Sequence, residues 1–271
     1  MNHTYTPILS PKATSDAISQ IGLKKATTQI WQLMLLGALA GLYIGFGGQL
    51  FLVALATGLG KVAGGFFFSV GLILVVVAGA ELFTGNITIL VGVLYGDVSG
   101  GDMFKNWTTV YVANFIGSVV LAWLIYQSGL LGSVGKLSAL GALSAKVAAA
   151  KVSLPFMQAF IRGVFCNILV VLAVIMAIMA KDGVSKIFCI LFPIGCFVAC
   201  GFEHCVANMY LITLGFLAKG ASFAEMMTMF HNLIPVTLGN IVGGIFIVTV
   251  HPTRIQKLSE LFTKNQEELR G

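Results

Sequence analysis

The chain has 271 residues, of which 58% are apolar and only 10% are charged, and its mean hydropathy is +0.96. This composition excludes an ordinary soluble domain and indicates an integral membrane protein. The formal net charge of +6 does not indicate nucleic-acid binding, because the basic residues lie mostly in tails and loops beside apolar runs.

Six apolar runs are long enough to cross a bilayer, which takes roughly 20 residues. They lie at about 29–57, 63–96, 106–130, 157–180, 186–218 and 231–250. The second and fifth runs are unusually long, and polar and glycine residues interrupt them at Glu81-Leu-Phe-Thr-Gly-Asn86 and at Gly201-Phe-Glu-His204. Interrupted helices occur at membrane depth only where protein or a wet cavity covers the freed backbone. The sequence therefore predicts an all-α membrane protein with six transmembrane helices, of which the second and fifth are broken.

These spans define the expected domain organisation: an N-terminal segment at 1–28, a six-span domain at 29–250 and a tail at 251–271. Lysines and arginines are concentrated on the side that carries both termini. The positive-inside rule therefore places both termini in the cytoplasm. The expected location is the cell (inner) membrane. No signal peptide is evident, and the stretch from Ala13 to Lys25 is expected to lie on the membrane surface as an anchor.

Polar and glycine positions recur between the two halves of the chain. A shift of 126 residues aligns Gln32, Gly37 and Gly41 with Gln158, Gly163 and Asn167, and Asn106, Asn114 and Gly117 with Asn232, Asn240 and Gly243. A shift of 122 aligns Glu81 and Asn86 with Glu203 and Asn208. Each half, at about 29–130 and 157–250, holds three spans, and an odd number requires copies of opposite orientation. The sequence thus predicts an inverted 3+3 repeat whose breaks meet at mid-membrane, where helix N-termini favour an anion.

These patterns resemble the formate/nitrite transporter family of pentameric channels for small weak-acid anions, which includes a hydrosulfide branch. The residues that carry the resemblance are Glu81-Leu82-Phe83-Thr84, Cys166-Asn167, Gly201-Phe-Glu-His-Cys-Val-Ala-Asn208 and Asn240. The resemblance implies an aquaporin-like protomer with its own pore, five protomers in an assembly, and two apolar constrictions around a central chamber.

The resemblance also implies roles for individual residues. Leu82 and Phe83 would form the cytoplasmic slit, with Thr84 on the adjoining loop, and Phe202 would lie at the outer constriction. His204 would face the chamber and form a hydrogen bond towards Thr84 or Asn167. Asn240 would line the lumen, and Lys151 would stand in a vestibule.

A bare anion is strongly disfavoured in an apolar slit because it loses its hydration, and protonation removes most of that cost. Histidine is the side chain best suited to exchange a proton near neutral pH. We therefore expect Lys151 to attract the anion, Thr84, Asn167 and Asn240 to replace its hydration shell, and His204 to neutralise or protonate it. Support of the helix breaks is assigned to Glu81, Glu203, Asn86 and Asn208, with each carboxylate holding backbone N–H groups of its own break.

Several alternatives remain at this stage. Overall resemblance favours hydrosulfide among the three anions, with a formate or nitrite channel or a proton-coupled transporter as the alternative. A lower-ranked alternative is an aquaporin-like channel for a neutral solute, although the chain contains no Asn-Pro-Ala motif. An ammonium channel would pair histidines in its pore, whereas His204 is the one histidine near the centre of a span.

No enzymatic activity, cofactor or resident metal is expected. A membrane enzyme would need a nucleophile or a cofactor cluster beyond His204, and none is evident. Cys196, Cys200 and His204 recur on one helical face, but no further ligand completes a soft-metal site. The expected partners are the anion, the lipid bilayer and further copies of the same chain in a pentamer.

Overall fold

The structure is a computed structural model that describes residues 8–252, so the predictions for residues 1–7 and 253–271 fall outside the described residues. The regular structure of the described part is helical apart from one short hairpin and an isolated β-bridge between Ile8 and Ala180. Its elements are α1 (Pro11–Thr27), α2 (Ile30–Ala56), α3 (Gly60–Phe68), α4 (Val70–Ala78), a 3₁₀ turn (Gly85–Thr88), α5 (Ile89–Tyr95), α6 (Gly100–Gln127), β1 (Gly132–Ser133), β2 (Lys136–Leu137), α7 (Ala139–Val152), α8 (Phe156–Met179), α9 (Gly183–Ala199), α10 (Cys205–Lys219), α11 (Phe223–Met227) and α12 (Phe230–Val250).

Both predicted helix breaks are present. Within residues 8–252, five helical segments are long and apolar enough to cross a membrane: Ile30–Ala56, Gly60–Ala78, Gly100–Gln127, Phe156–Met179 and Phe223–Val250. The predicted fifth span consists of two shorter apolar helices, α9 and α10, separated by residues 200–204. The second span is likewise broken at 79–84, after which the 3₁₀ turn and α5 follow. The prediction of an all-α membrane fold with interrupted second and fifth spans is therefore confirmed.

A glycine marks the start of each break. Gly79 follows α4 with a φ of 81°, and Gly201 follows α9 with a φ of 76°. Because this left-handed conformation strains a residue that carries a Cβ atom, glycine can end each helix abruptly at these positions.

Close contacts between helix backbones hold each half together. In the first half α2 packs against α6, and in the second half α8 packs against α12. A methyl group at Gly117 of α6 would lie 1.9 Å from the carbonyl oxygen of Ala38, and one at Gly243 of α12 would lie 2.1 Å from that of Val164. The two glycines are equivalent in the predicted repeat, so both halves depend on the same close approach.

Two shorter helices, α1 and α7, extend the repeat beyond the predicted spans. Helix α1 packs against α5, and α7, which follows the β1–β2 hairpin, packs against α10. Lys25 near the end of α1 and Lys151 near the end of α7 are separated by the repeat shift of 126 residues. Ile18 of α1 is buried. The stretch from Ala13 to Lys25 is therefore a packed part of the first half and not merely the surface anchor predicted.

Candidate functional site

The first helix break is held by an asparagine from α6. The Oδ1 atom of Asn114 accepts a hydrogen bond from the backbone N–H of Phe83 at 2.9 Å. Its Nδ2 atom donates to the carbonyl oxygen of Gly37 at 2.8 Å and to that of Glu81 at 2.9 Å. One side chain therefore satisfies backbone groups that the interrupted helix leaves free.

Asn240 of α12 holds the second break in the same way. Its Oδ1 accepts from the backbone N–H of Cys205 at 2.9 Å, and its Nδ2 donates to the carbonyl oxygens of Gly163 at 2.8 Å and Glu203 at 3.0 Å. The side chain is fully buried. All of these side-chain hydrogen bonds go to the backbone, and two of them go to groups of the break, the N–H of Cys205 and the carbonyl oxygen of Glu203. The position of Asn240 in the lumen stays a prediction.

Beside the first break, a lysine binds the glutamate. The Nζ of Lys25 lies 2.8 Å from both carboxylate oxygens of Glu81 and 3.0 Å from the Oδ1 of Asn86. Asn86 donates to Glu81 at 2.7 Å and to the Oδ1 of Asn106 at 2.9 Å. Asn106 in turn donates to the carbonyl oxygen of Lys25 at 2.9 Å, which closes the network.

The second half repeats this network except for the lysine–asparagine bond, since the buried Oδ1 of Asn208 has no hydrogen-bond partner within residues 8–252. The Nζ of Lys151 lies 3.0 and 2.9 Å from the two carboxylate oxygens of Glu203. Asn208 donates to Glu203 at 2.6 Å and to Asn232 at 2.7 Å, and Asn232 donates to the carbonyl oxygen of Lys151 at 2.9 Å. The expectation that each carboxylate holds backbone N–H groups is corrected as well. Asparagine amides hold the backbone, and each carboxylate pairs with an ammonium group, which is the stronger partner for a partly buried charge.

His204 and Thr84, from opposite breaks, meet at the centre. The Nε2 of His204 lies 2.9 Å from the Oγ1 of Thr84. Its Nδ1 accepts the backbone N–H of Ala207 at 3.1 Å and so caps α10. Because a backbone N–H can only donate, Nδ1 carries no proton in this geometry, and the imidazole is neutral with its proton on Nε2. His204 therefore donates to Thr84, and the hydroxyl proton of Thr84 is available to another acceptor.

Asn167 completes this centre. Its Nδ2 donates to the carbonyl oxygen of Asn240 at 2.7 Å and to that of Thr84 at 3.3 Å. Its Oδ1 is buried and has no hydrogen-bond partner within residues 8–252. The centre thus holds one unpaired acceptor, Asn167 Oδ1, close to the hydroxyl donor of Thr84.

Two cavities approach the centre from opposite sides. The larger vestibule has a volume of about 540 Å³, and the residues with charged side chains that line it are Lys24, Lys25, Glu81 and Lys186. The smaller vestibule has a volume of about 200 Å³, and its corresponding residues are Lys61, Lys151, Arg162 and Glu203. His204 and Phe202 line the smaller vestibule, and Leu82 lines the larger one. Among residues 8–252, each vestibule therefore has three cationic residues and one carboxylate.

The predicted constriction residues differ in their surroundings. The ring of Phe83 packs edge-on against Tyr111, with 5.0 Å between ring centroids, and against Trp107 at 6.4 Å. The ring of Phe202 lies against Phe165 at 5.3 Å. Phe83 is thus held by its aromatic neighbours, while Phe202 and Leu82 face the vestibules.

Sequence reasoning missed Lys25 and Asn114 as site residues. The signal was present, since Lys25 precedes Lys151 by the repeat shift of 126 residues, and Asn114 precedes Asn240 by the same interval. Within residues 8–252, no cluster of three or more histidine, cysteine, aspartate or glutamate side chains that could hold a metal ion occurs.

A family model described as "Formate/nitrite transporter" matches residues 12–253. The chain is 43% identical over 261 residues to the probable formate transporter of Methanothermobacter thermautotrophicus, covering 88% of this chain and 94% of the relative. It is 33% identical over 264 residues to the formate channel FocA of Escherichia coli strain K12, covering 89% and 92%.

Two solved structures are also similar. One, titled "Pentameric formate channel with formate bound", has a TM-score of 0.69 at 35% identity and covers 81% of this chain and 94% of its own. The other, titled "FNT family ion channel", has a TM-score of 0.77 at 31% identity and covers 87% and 96%. These matches confirm the resemblance noted in the sequence. The chain is a multi-pass membrane protein that belongs to the formate/nitrite transporter family.

Proposed function

We propose that this protein is a channel for small monovalent weak-acid anions, with formate as its principal substrate. The named relatives are formate channels or transporters, and they support formate over the hydrosulfide that overall resemblance favoured. We extend the proposal to a homopentamer in the inner membrane, with one pore in each protomer, on the precedent of the pentameric formate channel. Residues 29–250 would form the channel, and 1–28 and 251–271 would be cytoplasmic.

The single observation that carries the proposal is the neutral His204–Thr84 pair between two vestibules of net positive charge. Vestibules of this sign concentrate anions and disfavour cations, because the potential of a charged cleft acts on a small ion before it makes contact. A neutral solute gains nothing from that charge. The arrangement therefore favours an anion channel over an aquaporin-like channel.

The buried centre favours the neutral acid over its anion. Burial in a poorly solvated site disfavours the charged form of an acid, so a carboxylate that leaves the vestibule binds a proton more readily. Thr84 and the unpaired Oδ1 of Asn167 offer one donor and one acceptor there, and a carboxylic acid carries the complementary pair of groups.

His204 supports the passage of the neutral acid as an uncharged hydrogen-bond donor that orients the hydroxyl group of Thr84. If His204 became an imidazolium, Nδ1 would carry a proton and could no longer accept from Ala207, so α10 would lose its cap. The proton that neutralises the anion then comes from a hydronium ion in the vestibule, which leaves water behind, and His204 keeps its own proton.

Proteoliposome uptake of labelled formate between pH 5 and 8 tests the proposal. Wild-type protein is expected to admit formate faster than empty liposomes do, with uptake rising as the pH falls. Thr84→Val keeps the shape but removes the hydroxyl, and uptake should fall about tenfold or more. Thr213→Val is the matched control, since the Thr213 hydroxyl bonds the carbonyl oxygen of Met209 within α10.

His204→Gln separates the two roles of the histidine, because glutamine can donate a hydrogen bond but cannot titrate. A neutral donor role predicts residual uptake that keeps its pH dependence. Loss of the pH dependence in His204→Gln would show that the imidazole itself supplies the proton. Wild-type uptake no faster than that of empty liposomes, with formate, nitrite and hydrosulfide tested side by side, would overturn the channel assignment.

A further inference from the structure

The two vestibules share a lysine–glutamate pair but differ at the equivalent positions 36 and 162. The carbonyl oxygen of Leu36 accepts the backbone N–H of Glu81 at 3.2 Å, and that of Arg162 accepts the backbone N–H of Glu203 at 3.2 Å. The shift of 126 residues relates Leu36 to Arg162. Each of the two lines the vestibule of its own half. One vestibule therefore has a guanidinium-bearing residue beside the break where the other has an aliphatic one.

Arg162 lies at the edge of the buried face of α8. Residues three and four positions apart are neighbours on a helix surface. Of these neighbours, Ala159 and Cys166 are fully buried, whereas Phe165 is 47% exposed. Arg162 is itself partly exposed and lines the smaller vestibule, so it stands between the packed interior and the cavity.

Within residues 8–252 the side chain of Arg162 makes no hydrogen bond or ion pair that would neutralise it. The nearby carboxylate of Glu203 is bound by Lys151 and Asn208. An arginine inside a membrane protein that lines a cavity without a counter-ion is a candidate for contact with a solute.

The chemistry of the guanidinium group indicates which solute. It is planar and presents parallel N–H donors that match an anion with two oxygens, whereas an ammonium acts as a point charge. Formate and nitrite each have two such oxygens, and hydrosulfide has none. Lys61 lines the same vestibule and supplies charge without the planar fork.

We propose that Arg162 forms an anion subsite in the smaller vestibule that selects two-oxygen anions over single-centre anions such as hydrosulfide. This inference rests on the proposed function and names the substrate class that enters by this vestibule. The same cavity reaches His204 and Phe202, so an anion bound at Arg162 lies on the approach to the central pair. Because Leu36 occupies the equivalent position, the selection belongs to one side of the pore.

The test measures half-saturation concentrations for formate and for hydrosulfide in proteoliposomes of uniform orientation, with the smaller vestibule facing the added anion. Arg162→Lys keeps the charge and removes the fork, so the value for formate should rise about fivefold to tenfold. The value for hydrosulfide should change less than twofold. Arg162→Leu, which introduces the residue found at the equivalent position 36, should raise the half-saturation concentrations for both anions. The increase should be larger for formate than for hydrosulfide.

Lys61→Met is the matched control, because it removes one charge from the same vestibule and should raise both values by a similar factor. The subsite is refuted if Arg162→Lys leaves the formate value within twofold of wild type, or if Lys61→Met reproduces the preferential loss of formate. If Arg162→Leu does not fold, the Arg162→Lys comparison decides alone. Absence of wild-type formate uptake refutes the channel assignment, whereas normal maximal uptake with an unchanged half-saturation value in Arg162→Lys refutes the subsite only.

Discussion

Replacing Asn240 by alanine tests whether this residue holds the second break or lines the pore. The substitution removes hydrogen bonds of 2.9, 2.8 and 3.0 Å to Cys205, Gly163 and Glu203. Gly163 lies inside α8, where its carbonyl oxygen also accepts an intrahelical bond. The backbone N–H of Cys205 and the carbonyl oxygen of Glu203 belong to the break and lose a buried partner.

The expected cost follows from those two groups. A buried backbone group without a partner costs roughly 1–3 kcal/mol, which gives about 2–6 kcal/mol for the pair. Interhelical hydrogen bonds in membrane proteins contribute less than this on average, since the unfolded chain in a membrane finds other partners. We therefore expect Asn240→Ala to lower the free energy of unfolding by about 2–4 kcal/mol.

The assay is unfolding of the reconstituted protein by a denaturing detergent, followed by circular dichroism, with formate and nitrite uptake of the folded variant measured in parallel. Asn114→Ala is the matched variant, because Asn114 makes the equivalent three hydrogen bonds in the first half. Both variants should lose similar stability, and the folded fraction of Asn240→Ala should keep its preference between anions. A loss below about 0.5 kcal/mol together with an altered anion preference would refute the structural role, since hydrogen bonds to the break would then carry little energy.

Three further predictions concern charge, packing and pH. Lys151→Met leaves the partly buried carboxylate of Glu203 without its ammonium partner and should lower the free energy of unfolding by about 2–3 kcal/mol in the same assay. The double variant with Glu203→Gln should recover at least half of this loss, and a double variant as unstable as the single one would contradict the prediction. Gly117→Ala should lower the Tm by about 5 °C or more, because the methyl group meets a backbone oxygen of α2 at 1.9 Å, whereas Gly100→Ala in the same helix has open space and serves as the control. The first-turn N–H groups of α9 hold the pKa of Asp182 below its ordinary value. The carboxylate therefore contributes fully to folding stability above its unfolded pKa, and this contribution is lost as the pH falls through the lower folded pKa. Asp182→Asn should flatten the acid limb of a Tm-against-pH curve, and an unchanged limb would exclude this cap as a source of acid sensitivity.

The sequence by itself determined the class of fold and the location of the site. Charged and amide side chains are costly in a membrane span, so Glu81 and the stretch around His204 stand out from their apolar surroundings. The repeat shift relates Asn114 to Asn240 and Lys25 to Lys151, and an odd number of spans in each half fixes the opposite orientation of the copies. These inferences need only the spacing of residue types along the chain.

Tertiary structure alone decided which polar groups meet. A repeat shift establishes that two positions are equivalent, but it does not state what either one contacts. Lys25 and Glu81 are 56 positions apart and pair only because α1 packs beside the first break. Asn240 and Thr84 both lie near the centre, yet the side-chain hydrogen bonds of Asn240 go to backbone groups and that of Thr84 goes to His204. Hydrogen bonds depend on separations of about 3 Å between atoms of different helices, and helix packing sets those separations.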